Sequence, residues 1–277
     1  MKLLLFPLIA LLSSCSVPSP RAQTPATPQQ PAPVIPAPPL PPTTQEIAPK
    51  VTPHPPAPSN PHPLKVHTAS LNGTTFTVVT FDRRDYTLKV VDQKNGPGSQ
   101  FRSAQAAAQG SLAAINGGFF NPDGSPLGLV ITSGEARGTF NSASFLGTGI
   151  LDAKNLTLAT RQSYRKSPEL LQAGPRLVWK GEPLTGLSAK NERPRSFLIW
   201  DGQNHFGLAH ANTATLQGLA NNLKSQPLPG FNLQYALNLD GGTSCDLWVS
   251  DSVPGGPTTK RSFFTKDARN YLALKKR

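Results

Sequence analysis

Proline crowds residues 16–63, which contain more than half of the chain's 30 prolines and few charged residues. Proline fixes φ and has no backbone N–H, so a segment this rich in it forms neither a helix nor a sheet ladder and cannot pack a core. We therefore predict a disordered linker over residues 16–64, with a reach of at most about 150 Å in polyproline geometry. Residues 65–277 remain to fold, a length that suits one globular domain.

The chain before this linker has the features of an export signal. Met1-Lys2 precedes an apolar stretch, residues 3–12, which is too short to span a bilayer but suits a signal peptide. Leu12-Ser13-Ser14-Cys15 then resembles a bacterial lipobox, whose cysteine is acylated. We expect residues 1–15 to direct export and Cys15 to carry the lipid, so that the protein faces the periplasm or the cell exterior. The alternatives are a plain secretory signal with an incidental cysteine, and a proline tract that binds a partner domain.

The formal net charge of +12 bears on the choice of partner. Much of the excess lies near the C-terminus, at Lys260, Arg261, Lys266, Arg269, Lys275, Lys276 and Arg277. We do not expect an exported protein to bind nucleic acid, whereas such a patch attracts anionic glycans and membrane surfaces. A solvated basic tail without a partner is the open alternative.

Runs of β-branched and aromatic residues indicate that strands dominate residues 65–277. Residues 75–81 and 86–91 predict one hairpin, since a short charged turn joins them, and Asp201-Gly202-Gln203-Asn204 predicts the turn of a second. The other predicted strands are 111–115, 127–132, 144–151, 156–160, 176–179, 195–200, 205–209, 233–239 and 245–249. The pattern predicts an α+β fold with a largely antiparallel sheet and a few packed helices.

Three segments predict helices. Residues 103–109 are rich in alanine, with Ser103 as an N-cap and Gly110 at the end. Residues 213–223 place four apolar side chains on one face, at Leu216, Leu219, Ala220 and Leu223. The third and weakest prediction covers residues 267–275.

The most informative motif follows the predicted strand 233–239. Asp240-Gly241-Gly242-Thr243-Ser244 leaves a carboxylate, two hydroxyls and bare backbone amides at the mouth of a buried strand. Acid–base chemistry on a sugar or a phosphate requires a carboxylate beside such hydrogen-bond donors.

Two further segments carry compatible groups. Asn116-Gly117-Gly118 also follows a buried strand, and paired glycines allow a ligand to approach the backbone closely. Arg195 begins an apolar strand, where its guanidinium can bind a phosphate or a carboxylate bidentately. Taken singly, each segment is also explained by ordinary structure: a tight turn and a surface arginine.

Cys245 raises a different possibility. With Cys15 acylated, Cys245 is the only other cysteine, so no disulfide is expected. It could act as a nucleophile with His205 or His210 as its base. We favour the simpler interpretation, a small buried residue at the start of a strand, because no cysteine–histidine signature accompanies it.

In their order along the chain, these segments resemble the phosphodiester glycosidase family, whose animal members remove N-acetylglucosamine from mannose-6-phosphate precursors. The matching elements are Ile115 to Phe120, Gly174-Pro175-Arg176-Leu177, Arg195-Ser196-Phe197 with Asp201-Gly202, the helix around Leu216, and Leu239 to Ser244. The resemblance spans residues 75–249. Two positions depart from the family pattern: Thr243 replaces a third glycine, and Ser196-Phe197 replaces Thr-Ala, which leaves the substrate open.

The resemblance implies hydrolysis at a sugar's anomeric carbon with a phosphate-linked leaving group. It assigns catalytic roles to Asp240, Asn116 and Arg195: acid–base chemistry or charge stabilisation, hydrogen bonds to substrate oxygens, and phosphate binding. The substrate-binding set would be Gly117, Gly118, Gly241, Gly242, Thr243 and Ser244, with backbone amides as an anion cradle.

Three functional hypotheses follow. The first is an exported, membrane-tethered glycosidase that acts on sugar phosphodiesters in envelope or extracellular glycans. The second is a glycan-binding module with a degenerate site, and the third is a Cys245 hydrolase. No cofactor is predicted, although a divalent cation held by Asp240 with Asp201 or Asn116 stays open, as does Asp201 or Glu192 as a second carboxylate. The expected partners are a phosphorylated or anionic glycan and, through the lipid, a membrane.

Overall fold

The computed structural model describes residues 63–93, 100–262 and 264–277. The predicted signal segment with Cys15, and nearly all of the predicted linker, lie outside the described residues. The chain divides into two units, Met1–Pro55 and Pro56–Arg277, and every described residue belongs to the second. Within these three ranges, no helix is both long enough and apolar enough to cross a membrane.

The described residues form mostly strands. In chain order they are β1 (Lys65–Leu71), β2 (Thr74–Asp82), β3 (Tyr86–Asp92), β4 (Ala113–Asn116), β5 (Val130–Thr132), β6 (Glu135–Arg137), β7 (Gly149–Asp152), β8 (Thr157–Thr160), β9 (Leu170–Ala173), β10 (Arg176–Trp179), β11 (Glu182–Pro183), β12 (Arg193–Trp200), β13 (His205–Ala214), β14 (Tyr235–Asn238), β15 (Asp246–Val249), β16 (Thr258–Arg261) and β17 (Asn270–Lys276). The helices are α1 (Ala104–Ala108) and α2 (Leu216–Lys224), with 3₁₀ turns at Phe145–Gly147 and Gly242–Ser244.

The strands form three sheets. The first has the order β1-β2-β13-β12-β14-β10-β11, the second β16-β15-β4-β17-β3, and the third β6-β5-β9-β7-β8. All pairings recorded between these strands are antiparallel. The prediction of largely antiparallel sheets with few helices is therefore confirmed.

One large apolar cluster joins the three sheets. Phe81 from the first sheet, Ile115 from the second and Leu171 from the third all belong to it, and each is almost fully buried. Along β12 the side chains alternate, so Leu198 points into this cluster while Phe197 packs on the other face. Each such side chain contributes roughly 1.5–3 kcal/mol on burial, so the cluster fixes how the sheets face one another.

The two helices cover the outer faces of sheets, as their sequence patterns predict. In α1, the Ser103 side chain accepts a hydrogen bond from Ala106 N at 3.1 Å, and the helix ends before Gly110 in a left-handed conformation. Leu216, Leu219, Ala220 and Leu223 of α2 are all buried against the first sheet. That helix begins later than predicted because residues 213 and 214 still belong to β13.

Two predicted elements are wrong, and a third, the strand predicted over residues 144–151, is a strand only from Gly149 because a 3₁₀ turn occupies Phe145–Gly147. Residues 75–81 and 86–91 do not pair as a hairpin, since β2 pairs with β1 and β13 while β3 pairs with β17 in the second sheet. The turn between them instead carries the chain from one sheet to another. The helix predicted over 267–275 is the strand β17, whose Leu272 and Leu274 enter the central cluster while Tyr271 and Ala273 pack beside α1.

Candidate active site

The two glycine turns meet at the end of the sheets. Asn116 ends β4, and its Nδ2 donates a hydrogen bond to the Asp240 carbonyl at 2.7 Å. Asp240 N in turn donates to the Gly117 carbonyl at 2.9 Å. Asp240 lies two residues after the end of β14. These two hydrogen bonds therefore hold its backbone directly against the turn after β4.

Arg195 lies in the same place because of strand register. β12 and β14 pair with Phe197 opposite Asn238, and Leu239 N donates to the Ser196 carbonyl at 2.8 Å, which brings Arg195 level with Asp240. A Cβ added to Gly241 would lie 3.6 Å from Arg195 Nη1. Asn116, Arg195 and Asp240 thus share one site, although they are far apart in the chain.

The Arg195 guanidinium is buried, 7% exposed, and its hydrogen bonds go to backbone carbonyls. Its Nε donates to Ala214 O and its Nη2 to Asn191 O, both at 3.0 Å. Burial lowers its pKa, and the nearby Arg193 lowers it further. Among the described residues no ion pair to Arg195 is found, so a fixed positive charge faces the Asp240 turn through Nη1.

Asp240 is half-buried, and its carboxyl group is unusually basic. Burial raises its pKa from 3.8 to about 6, although hydrogen bonds from the Ser244 side chain and from Gly241 N, and the charges of Lys266 and Arg193, lower it. Gly241 N donates to Asp240 Oδ1 at 2.9 Å. The group is therefore half protonated close to pH 6, where acid–base catalysis near neutrality is efficient.

The amides of the first glycine turn are already used. Gly117 N donates to the Asn270 carbonyl at 2.8 Å, and Gly118 N donates to Asn270 Oδ1 at 2.7 Å. The anion cradle expected from these two amides is therefore not formed in the structure. The turn instead packs tightly, since a Cβ on Gly117 would lie 2.0 Å from Asn270 Oδ1.

The second glycine turn leaves two of its backbone amides, those of Gly242 and Thr243, without an acceptor among the described residues. Gly242–Ser244 is a 3₁₀ turn, and its first N–H groups have no acceptor within the turn. In the part of the chain that the structure describes, neither Gly242 N nor Thr243 N donates a hydrogen bond. Thr243 is exposed and does not have a positive φ, so a side chain is tolerated there without backbone strain.

Asn116 is fully buried, and its side chain bonds to the protein rather than facing outward. Its Nδ2 bonds to Asp240 O as described, and its Oδ1 accepts a hydrogen bond from Asp246 N at 3.0 Å. The amide therefore holds the Asp240 turn in place. This arrangement favours a positioning role over the direct contact with substrate oxygens that the sequence suggested.

Three residues near Asp240 were not identified from the sequence. Arg193 packs on Gly242, with its Cδ 3.4 Å from the Cβ position of that glycine. Lys266 N donates to the Thr243 carbonyl at 2.9 Å, and its ammonium lies 5.1 Å from the centre of the Phe120 ring. The position of Arg193, two residues before Arg195, could have indicated from the sequence that it lies near the site. No local sequence pattern indicates that Lys266 or Asn270 does.

Asp201, which the sequence left open as a second carboxylate, lies too far from Asp240 for that role. Asp201 follows the opposite end of β12 from Arg195, about 20 Å along the strand at the usual rise per residue. There its Oδ2 lies 2.8 Å from His205 Nδ1, and its Oδ1 accepts hydrogen bonds from Gln203 N and His205 N. A cation shared by Asp240 and Asp201 is excluded by the same distance.

Glu192 is exposed and lines a cleft of about 270 Å³ beside the start of α2. Across residues 63–93, 100–262 and 264–277, no group of three histidine, cysteine, aspartate or glutamate side chains gathers in an arrangement suited to a metal ion.

Cys245 and His210 are poorly suited to nucleophilic catalysis. Burial raises the pKa of the Cys245 thiol to about 12, and burial with the charge of Lys260 lowers the pKa of His210 to about 4. At neutral pH both are uncharged, whereas a cysteine nucleophile requires a thiolate. His205 lies with Asp201 at the far end of the strands. The structure therefore favours the simpler interpretation of Cys245.

Comparison with known proteins bears on the family and the fold of this chain. A family model described as phosphodiester glycosidase matches residues 109–274. The catalytic domain of zebrafish N-acetylglucosamine-1-phosphodiester alpha-N-acetylglucosaminidase, auto-inhibited by its pro-peptide, superposes with a TM-score of 0.53 at 20% identity, covering 76% of this chain and 82% of that one. A hypothetical protein from Synechocystis gives a TM-score of 0.54 at 16% identity, covering 76% and 61%. No curated protein sequence matches the chain. At these identities the two structures show the fold alone.

Proposed function

Because the chain belongs to the phosphodiester glycosidase family, we propose that it hydrolyses the bond between a sugar's anomeric carbon and a phosphodiester in envelope or extracellular glycans. Family membership supports a glycosidase that acts on phosphodiester sugar linkages. The observation that carries the finer proposal is the juxtaposition of a basic carboxylate, Asp240, with a buried guanidinium, Arg195, that has no acidic partner among the described residues.

Asp240 supplies the acid–base group. Water attacks the anomeric carbon as its bond to the phosphate oxygen breaks; the proton of the water passes to the Asp240 carboxylate, and the electron pair of the broken bond leaves with the phosphate. A carboxylate with a pKa of about 6 is a stronger base than an ordinary aspartate. Since a phosphate monoester leaves readily as an anion, the reaction does not require a second carboxylic acid.

The phosphate would lie between Arg195 and the second glycine turn. Arg195 Nη1 faces Gly241, and the N–H groups of Gly242 and Thr243 donate to no acceptor among the described residues. Arg193 and Lys266 add positive charge beside Asp240. Fixed donors of this kind stabilise developing negative charge without reorganisation, which is the largest contribution in many enzymes.

The cellular setting is part of the same proposal. The signal-like residues 1–15, the lipid on Cys15 and the proline-rich linker would export the domain, residues 65–277, and hold it by lipid at a membrane surface. An active site tethered in this way reaches polymeric glycans of the envelope. The net charge of +12 favours anionic, phosphate-bearing polymers over neutral ones.

The test is hydrolysis of the methyl phosphodiester of α-N-acetylglucosamine 1-phosphate in ¹⁸O-labelled water. We expect the label in the hydroxyl on the sugar's anomeric carbon, because the bond from that carbon to oxygen is the one cleaved. Label in the phosphate would instead show a phosphodiesterase and would overturn the proposal. Stable binding of this compound and of its polymeric relatives without any product would favour the alternative, a non-catalytic glycan-binding module.

A further inference from the structure

A patch of exposed aromatic rings lies on the loop between β6 and β7. Among the described residues three large apolar side chains are exposed, and two of them, Phe140 (37% exposed) and Phe145 (47%), belong to this loop. The Phe140 ring stacks on Tyr164 from the segment after β8, with ring centroids 5.0 Å apart and planes 19° from parallel. Exposed rings held in this way offer a flat apolar face.

Basic residues accompany the rings. Residues 161–166 contain Arg161, Arg165 and Lys166, and neither residues 136–151 nor residues 159–168 contain an acidic residue. We call Phe140, Phe145, Tyr164, Arg161, Arg165 and Lys166 the aromatic–basic surface. Its charge is complementary to phosphate groups, and its rings suit the apolar faces of sugar rings.

The surface is rigidly built. Asn141 Oδ1 accepts hydrogen bonds from Ser144 N at 2.7 Å and Ala143 N at 3.2 Å, and Arg161 Nη1 donates to Ser144 O at 3.0 Å. The buried Gln172 side chain bonds to both the N–H and the carbonyl of Asn141, at 2.9 and 2.7 Å. A loop that is already ordered loses little entropy on binding, so each contact contributes more of its energy.

The surface adjoins the candidate active site. The Gln172 carbonyl lies 3.0 Å from the Cβ position of Gly118, so one residue touches both the first glycine turn and Asn141. Strand register places the residues after β8 and β9 at the same end of the third sheet, with Gly149 opposite both Thr160 and Ala173. Gly174, next in the chain, accepts a hydrogen bond from Asn238, two residues before Asp240.

We propose that the aromatic–basic surface is a subsite that binds the phosphodiester-linked glycan on one side of the cleaved bond. Sugar rings pack on Phe140, Tyr164 and Phe145, and the phosphates between them pair with Arg161, Arg165 and Lys166. The inference rests on the proposed function for the ligand's class. An anionic membrane would suit the same charge, but the stacked Phe140–Tyr164 pair presents a flat face rather than a protruding wedge.

The test compares a long ligand with a short one. The probes are an oligomer of N-acetylhexosamine 1-phosphate units and the methyl phosphodiester of α-N-acetylglucosamine 1-phosphate. The variants are Phe140→Ala with Phe145→Ala, Arg165→Ala with Lys166→Ala, and Phe140→Leu, which keeps apolar volume without a ring. Lys65→Ala with Lys89→Ala is the charge-matched control, since both lysines are exposed, on β1 of the first sheet and on β3 of the second.

We expect each of the first two double variants to raise the KM for the oligomer about tenfold, as loss of a major contact does. Phe140→Leu should also raise the KM for the oligomer. All of these variants should leave kcat/KM for the methyl phosphodiester unchanged, and the lysine control should leave the oligomer KM unchanged as well. Cleavage of both probes with an unaltered oligomer KM in both double variants would overturn the inference and leave the proposed function standing.

If the parent protein shows no turnover, a binding measurement still distinguishes the subsite from the proposed function. Titration of the oligomer into Asp240→Asn protein, with and without the surface substitutions, needs no turnover. If the parent cleaves neither probe, the proposed function fails, but a loss of oligomer affinity on substitution still supports the subsite. Equal affinity with and without the substitutions, or binding confined to phosphatidylserine vesicles, contradicts it.

Discussion

Arg195 keeps its charge although no acid neutralises it among the described residues, and this is the feature on which the proposed substrate binding depends. Two of its nitrogens bond to backbone carbonyls, which orient the guanidinium and leave Nη1 directed at Gly241. Lysine has neither the planar fork nor a nitrogen at the Nε position. Replacing Arg195 by lysine therefore tests whether substrate turnover requires the geometry of the guanidinium or only a positive charge.

We expect Arg195→Lys to lower kcat/KM for the methyl phosphodiester about a hundredfold, the scale on which single transition-state donors act. Steady-state kinetics at saturating and limiting substrate give the measurement. Arg83→Lys, which lies at the opposite end of the first sheet near Asn204, serves as the matched control and should leave kcat/KM unchanged. Equal kinetics for the two variants would remove Arg195 from the site.

The raised pKa of Asp240 has a consequence for stability. Between its ordinary value of 3.8 and the folded value of about 6, the native state binds the proton more tightly than the unfolded state, so native stability falls as pH rises through this interval. Asn cannot lose a proton. The melting temperature of Asp240→Asn, relative to the parent, should therefore increase from about pH 4 to about pH 6 and then level off. A difference that is independent of pH would show that the carboxyl is not perturbed.

At the level of secondary-structure elements, contacts between strand ends assemble the site. These contacts are not predictable from local sequence patterns. Asn270, the first residue of β17, bonds to both Gly117 N and Gly118 N, and Gly117 packs on its side chain. Gly117→Ala should lower the free energy of unfolding by about 1–3 kcal/mol through overpacking.

Combining Gly117→Ala with Asn270→Ala, which removes the clashing oxygen, should cost less than the sum of the two single changes. Denaturant unfolding of all four proteins measures this coupling. Strict additivity would mean that the two residues do not share the contact.

Local sequence rules found most elements but not which of them meet. The helix stripe Leu216–Leu223 and the turn after Trp200 are local patterns, and both were predicted correctly. β17 was mistaken for a helix because both of its faces are buried, so its apolar residues do not alternate with polar ones. β2 and β3 were mistaken for a hairpin because a short link does not reveal whether two strands pair or enter facing sheets.

The same distinction applies to the candidate site. Glycine pairs after buried strands marked Asp240 and Asn116, and the motif order supplied Arg195. Strand register decides the remaining features of the site. It determines that the amides of Gly117 and Gly118 are already hydrogen-bonded, that Lys266 and Asn270 lie near Asp240, and that Asp201 lies at the other end of the sheet. Register is set by long-range packing, which cannot be predicted from local patterns in a single sequence.

At the scale of the whole molecule, the proposed division into linker and domain predicts where the chain can be shortened. β1 begins at Lys65, pairs along β2, and Val66 N donates to the Pro254 carbonyl. Removal of residues 1–62 should leave the melting temperature and the activity of the domain unchanged. Removal through Leu71 takes away an edge strand and should lower the melting temperature markedly. Similar melting for both truncations would place the domain boundary elsewhere.

The proposed hydrolysis depends on acid–base chemistry by Asp240 on a sugar phosphodiester. Turnover of the methyl phosphodiester of α-N-acetylglucosamine 1-phosphate by the parent and by Asp240→Asn tests it most directly. We expect kcat to fall at least about a hundredfold in a variant whose circular dichroism and melting show an intact fold. A folded Asp240→Asn protein that retains nearly full activity would contradict the claim.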